Sequence, residues 1–340
     1  MKGCMRILFL TSVIIFLCCC SNNTTYVNEG RFVFLSNRDS PKGEFDIFIY
    51  DLNDSSQINL TSDLEFIRSI SKPSLSFDKN LLLYTSFSKG SKILRIIDIK
   101  NKKSVNLSNV DLDNPSASFF NSDKKVLFTK KIGGKKQLFK IDVNGENEEN
   151  VSSSNSNEYK GKISPNEKLL LFLRGDKDET FIVIRDVVSA NETVIKVNGN
   201  KINPAFTNDD RIVYESFVDG SYKIFVYDIT TKKSNQLTTG NANAHHPIFV
   251  KEGKSVLFIS DGRGKKYRDL AMLNLNNSNY MFLTSGLNMI NQNFSLSRDK
   301  KNILFESSKF NDSEIYLLKL KDKSFINLTK NIAWDCQPSF

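Results

Sequence analysis

The chain has 340 residues, enough for two average domains or one large all-β domain. Its hydrophobic fraction of 39% and charged fraction of 25% exclude wholesale disorder, and 47 Lys+Arg against 38 Asp+Glu leave a net charge of +9. Four of the five Cys fall in the first 20 residues, which excludes a disulfide-stapled body and a Cys-based metal cluster. The abundance of Lys, Asn, Ile and Phe, with little Pro and Gly, is what an AT-rich genome encodes. Basicity alone is therefore no argument for a nucleic-acid partner.

The N-terminus reads as an address. Lys2 and Arg6 precede an uncharged, largely apolar run from Ile7 to Leu17. That run is too short to span a bilayer, which needs about 20 residues, but fits the core of a secretory signal. It leads into Cys18, Cys19 and Cys20 and then a polar stretch, Ser21–Gly30. This junction resembles a bacterial lipoprotein signal, with an aliphatic residue three before the modified Cys and a small one just before it. Leu17-Cys18-Cys19-Cys20 fits that pattern with Cys20 as the acylated, palmitate-bearing residue; Cys19 and Cys18 are the alternatives. Processing removes Lys2 and Arg6 and lowers the net charge to +7. The expected organisation is a signal peptide over 1–20, a flexible tether over 21–30 and one folded body over 31–340.

The body is a repeat. An apolar run carrying an aromatic recurs at Phe34, Tyr84, Phe128, Phe172, Tyr214, Phe258 and Phe305, at intervals of 42 to 50 residues. Each is followed by a polar turn and a second apolar run, which ends in the first five copies near Asp51, Asp98, Asp142, Asp186 and Asp228. A third short run ends in a hydroxyl or amide residue, as at Thr61, Ser108, Ser152, Asn198, Thr238, Thr284 and Thr329. A fourth element begins near Pro73, Pro115, Pro204 or Pro247 in several copies. Four short strands per unit of about 44 residues predict β-propeller blades. Runs such as Leu81-Leu82-Leu83-Tyr84 lack alternation because face-to-face blades bury both sides of an inner strand.

The ends set the expected count. Arg31 opens on a second strand, and Gln337-Pro338-Ser339-Phe340 looks like a first strand with nothing after it. Pairing them completes one blade and removes the last free sheet edges. The expectation is an all-β, seven-bladed propeller, four antiparallel strands per blade, closed by pairing the C-terminal strand with the N-terminal blade.

Gln236-Leu237-Thr238, Pro247 and Val256-Leu257-Phe258-Ile259-Ser260-Asp261-Gly262 form a unit that resembles the TolB-like (WD-like) propeller repeat, as does Ser71-Lys72-Pro73-Ser74-Leu75-Ser76-Phe77-Asp78. The resemblance covers essentially all of 31–340. It implies a fold and leaves function open, since the repeat serves envelope scaffolds and peptidase propellers alike. Two departures stand out. TolB carries an α/β domain before a six-bladed propeller, whereas here seven copies follow a short tether. Docking to a peptidoglycan-associated lipoprotein is therefore not carried over. A lipid-tethered propeller is similar in architecture only to BamB lipoproteins, and the composition resembles that of spirochaete envelope lipoproteins.

Sequence chemistry is sparse. A peptidase needs a Gly-x-Ser-x-Gly elbow, and none occurs in these 340 residues. Asp261-Gly262-Arg263-Gly264-Lys265-Lys266 lies between two strands and so is no phosphate loop; Arg263, Lys265 and Lys266 are candidate contacts for an anionic partner or ordinary residues of a solvated hairpin. His245 and His246 precede a channel-lining strand, where alternation points them to opposite faces and argues against one shared metal. They are candidate ligand or partner contacts, or partly buried turn residues. Carboxylate pairs at Asp209-Asp210, Glu148-Glu149 and Asp176/Asp178 read as turn chemistry, and the periodic Asp as strand-end caps. Asn59-Leu60-Thr61 and its repeats match glycosylation acceptors formally, but their recurrence at one repeat position argues for strand chemistry. Cys336 is expected to be a buried, inert thiol.

No catalytic residue, metal or cofactor is assigned. The leading expectation is a non-enzymatic interaction platform, monomeric within a complex, tethered by lipid to the periplasmic face of the outer membrane. Its partners would be envelope proteins of outer-membrane protein assembly or envelope integrity, with no nucleic acid. The alternatives are a small-ligand or carbohydrate-binding propeller, or a channel-centred hydrolase or lyase.

Overall fold

A computed structural model describes residues 30–39, 44–62, 72–88, 90–110, 116–152, 154–176, 179–198, 202–207, 211–250, 253–264, 266–287, 289–309 and 312–340. The signal and the Cys cluster at 18–20 lie outside them, as do most of the tether, Lys265, Asp178 and Asp209-Asp210. The described residues form seven four-stranded antiparallel sheets and no helix.

Blade 1 pairs Asp335–Ser339 with Arg31–Ser36, then Asp46–Asp51 and Gln57–Asn59. The first and last strands of the ring thus share a sheet, with Leu35 opposite Cys336 and Val33 opposite Ser339. Blades 2 to 7 follow in chain order, and their innermost strands are Ser74–Leu75, Ala117–Phe119, Glu158–Ile163, Ala205–Phe206, Ala244–Val250 and Ile290–Leu296. The seven-bladed, end-closed architecture is the one the repeat predicts.

The core explains the unbroken apolar runs. It divides into seven clusters, one in each gap between neighbouring blades. Along Arg31–Ser36, Val33 and Leu35 pack toward blade 2, while Phe32 and Phe34 pack toward blade 7. Period-two alternation is present, but both faces meet a blade. Phe34, Phe128, Phe172 and Phe305 are wholly excluded from water. Burying one such side chain contributes about 1.5–3 kcal/mol.

The recurrent polar residues hold the frame. Thr61, Ser152, Thr238, Thr284 and Thr329 each accept, through the side-chain hydroxyl, the backbone N–H of the residue fourteen positions earlier, at 2.8–3.0 Å. The donors lie on or at the start of each blade's third strand. Asp51, Asp98, Asp186 and Asp228 accept turn N–H groups from Asn53, Asn101, Ser189 and Thr231. These are structural caps, as their periodicity suggests. In the closing blade, both carboxylate oxygens of buried Asp335 accept from Arg38 Nη2 at 2.9 Å, and the Arg38 guanidinium lies over the Phe48 ring at 4.7 Å. Cys336, the one cysteine among the described residues, is buried in the same strand, and burial pushes its thiol pKa up, away from reactivity.

Candidate ligand site in the central channel

The innermost strands surround the axis, and four of them are interrupted by a bulge. Their registers shift between Tyr159 and Lys162, His245 and Ile248, and Gln292 and Ser295, and opposite Val33 and Leu35 in the closing strand. Each bulge holds a residue in the left-handed region: Lys160, His246, Asn293 and Gln337, with φ of 55°, 54°, 45° and 52°. None is Gly, so each costs about 1–3 kcal/mol of strain that its surroundings must offset. The bulge also breaks strict alternation. His245 and His246, expected on opposite faces, line the same cavity and lie within a strand rather than before it.

Two buried glutamates brace these bulges. Glu215 lies on blade 5's second strand. It accepts the His246 backbone N–H at 3.1 Å and the Asn203 side-chain amide, and its other oxygen lies 2.6 Å from His245 Nδ1. That contact suits an Nδ1–H donating to the carboxylate oxygen. Glu306 holds the equivalent place in blade 7 and accepts the Gln337 backbone N–H at 3.1 Å, Gln292 at 2.7 Å, Asn293 at 2.8 Å and Ser313 at 3.1 Å. At the same repeat position, Thr129 and Ile259 precede the bulges at Lys160 and Asn293. Gly161 beside Lys160 packs closely on blade 3: a Cβ there would lie 2.9 Å from the Leu127 and Leu138 methyl groups, which would have to shift.

Within this frame lies a cavity of about 330 Å³, lined by Lys160, Asn203, Glu215, His245, His246, Ile259, Arg268 and Asn291–Asn293. A second, of about 240 Å³, shares Asn203, His246 and Asn293 and adds Lys72, Lys162, Pro247, Ile248 and Phe294. Lys160 Nζ donates to Ile202 O at 3.2 Å and Asn203 Oδ1 at 3.1 Å, and Lys72 Nζ crosses to Phe294 O at 3.3 Å. All three acceptors are neutral.

Burial lowers the pKa of Lys72 and Lys162 to about 8 each. Repulsion from Lys162 adds to the effect on Lys72, and repulsion from Lys160 to that on Lys162. Both keep exposed surface, so the channel is wet, and the direction of the shift comes from the protein walls around them. Burial also lowers His246, partly offset by Glu215.

The other candidates lie elsewhere. Arg263 pairs with buried Asp269 at 2.7 Å and stacks with Lys266 on Tyr267, so this hairpin is internally satisfied. Glu148 and Glu149 pair with Lys130 and Lys140. Sequence reasoning found the histidines but missed Lys72, Lys160, Lys162, Arg268, Glu215 and Glu306. One signal was present: Glu follows the repeat aromatic in two copies, where the other five have Leu, Thr, Thr, Leu and Ile.

Seven closed blades around a polar, mainly basic channel define a seven-bladed β-propeller with two neighbouring cavities that share Asn203, His246 and Asn293. The TolB beta propeller domain matches residues 23–196 and 176–340, and the chain belongs to that family. A protein TolB homolog of Chlorobium chlorochromatii is 23% identical over 136 residues, covering 40% of this chain and 31% of its own length. The match therefore spans about a third of that relative. The TolB crystal structure from Acinetobacter baumannii superposes with a TM-score of 0.57 and 15% identity, over 92% of this chain and 67% of that one. An oligogalacturonate lyase in complex with manganese gives 0.64 and 16%, over 87% of each chain. At these identities the two structures show the fold alone.

Proposed function

We propose that this protein is a lipid-anchored TolB-type propeller of the cell envelope that acts without catalysis, as a platform on which envelope proteins assemble. The observation that carries this reading is the closed ring of a TolB-family chain, which holds inter-strand loops on a rigid frame. Preset loops lose little conformational entropy when a partner binds. Cys20 is the proposed attachment point on the periplasmic face of the outer membrane, and outer-membrane assembly or envelope integrity the proposed setting. The test is crosslinking in intact cells followed by mass spectrometry, with Cys20→Ser beside the native protein. The native chain should fractionate with membrane and capture envelope proteins, whereas Cys20→Ser should be released. Capture of no envelope protein by the native chain counts against the platform.

A second reading, a small-ligand-binding propeller, is favoured by one observation: the channel is lined by converging lysines and amides rather than by backbone and small polar residues. The likeness to a lyase carries no catalytic assignment. Among the described residues, no group of three or more His, Cys, Asp or Glu is placed to hold a metal ion.

A further inference from the structure

The basic groups of the channel outnumber its acids. Arg268, Lys160, Lys162 and Lys72 line the two neighbouring cavities, while among the described residues Glu215 is the one acid that does so. Glu306 stands behind Gln292 and Asn293. Both carboxylates are already committed: their oxygens accept bulge N–H groups and amides, and no lysine donates to either. Lys162 and the Arg268 guanidinium form no hydrogen bond or ion pair among the described residues. Lys72 and Lys160 have carbonyl partners only. Structural ion pairing does not account for this set.

Converging cations repel, and the left-handed bulge that carries Lys160 adds strain. A frame that gathers such groups from blades 2, 4 and 6 in a cavity of small-molecule size has the features of a preorganised anion site. Asn203 and Asn293, shared by both cavities, supply uncharged polar contacts between the charged ends. Four cations against two acids leave an excess of two, which matches a ligand with at least two negative charges.

We propose that the central channel binds a small multivalent oxyanion, a polycarboxylate or a phosphate compound, held between Arg268 and Lys160 at one end and Lys162 and Lys72 at the other. This rests on the small-ligand reading and stands apart from the platform, which the crosslinking experiment tests on its own.

The test is isothermal titration of the folded full propeller at low ionic strength with citrate, pyrophosphate and, as a monovalent control, acetate. Citrate or pyrophosphate should bind at least tenfold more tightly than acetate. Lys72→Met/Lys162→Met should weaken that binding at least tenfold, while the hairpin variant Lys300→Met/Lys301→Met leaves it within twofold. Binding of citrate alone assigns a carboxylate ligand, and of pyrophosphate alone a phosphate ligand. If the double variant does not fold, Arg268→Met, at an exposed position, replaces it with the same expected loss. Multivalent anions that bind no better than acetate, or binding indifferent to every channel substitution, overturn the proposal.

Discussion

Lys72 and Lys162 carry the main pH dependence expected of the channel. Each is lowered to about 8 by the walls around it, from an ordinary value of 10.5. They share their cavity with His246, and Lys160 acts on Lys162 and Glu306 on Lys72, while Arg268 and Glu215 line the adjoining cavity. Below about pH 8 both folded and unfolded chains hold these protons, so the charge repulsion is fully present. Between about 8 and 10 the unfolded chain keeps protons that the folded chain has shed, and stability rises with pH. The urea midpoint should therefore rise between pH 7.5 and 9.5, and Lys72→Met/Lys162→Met should flatten that rise. A native protein with a flat profile over that range contradicts the assignment. Half-buried Tyr159 and buried Tyr214 have pKa values raised above the ordinary tyrosine value by desolvation, so their contribution is lost only at higher pH. None of this was legible from sequence. Lys72, Lys160 and Lys162 looked like a few of 47 basic residues; the blade 4 bulge sets Lys160 and Lys162, and Lys72 joins Lys162 from blade 2.

At the scale of the strand, the repeated hydroxyl is the better-read feature. Its recurrence marked it as strand chemistry, but its partner was hidden. The donor lies fourteen residues earlier, on or at the start of a neighbouring strand, a distance fixed by hairpin register rather than by local pattern. The two blades without this bond differ in their outer strand. In blade 2, Lys103–Asn109 is long and has a register shift at Leu94. In blade 4, Glu192–Val197 pairs along its whole length. Thr238→Val removes the acceptor from the Ile224 N–H without changing side-chain shape, and should destabilise the protein by about 1 kcal/mol. Chemical denaturation is the check, with a threonine-to-valine change at an exposed, unbonded position as reference. A loss no larger than the reference would show that water replaces the hydroxyl. The four bulges were the unread part of these strands. A bulge inserts a residue without a composition signature when that residue is Lys, His, Asn or Gln instead of Gly.

For the whole molecule, blade number was legible because one aromatic strand recurs once per blade and each gap has its own apolar cluster. The channel was not, because its lining comes from residues between 72 and 294 that share no motif. Blade 1 is the exception to local construction, since its innermost strand comes from the other end of the chain. Removing 335–340 should strip Asp335 from Arg38 and leave the Arg31–Ser36 edge unpaired. The truncated ring is expected to unfold at lower temperature and to lose cooperativity. Calorimetry reads both effects, and a single transition at the native temperature would show that closure is dispensable.

That hybrid blade also fixes when the molecule becomes itself. Six blades are built from neighbouring segments and have all their strands as soon as each stretch is synthesised. Blade 1 must wait for a partner roughly 300 residues downstream, a contact whose closure entropy is met only after the rest of the ring has brought the ends together. Until then its edge is open and able to pair with another chain. The last strand is therefore a timing element: the interval between arrival of Arg31–Ser36 and of Asp335–Ser339 is the period in which the chain is most exposed to misassembly.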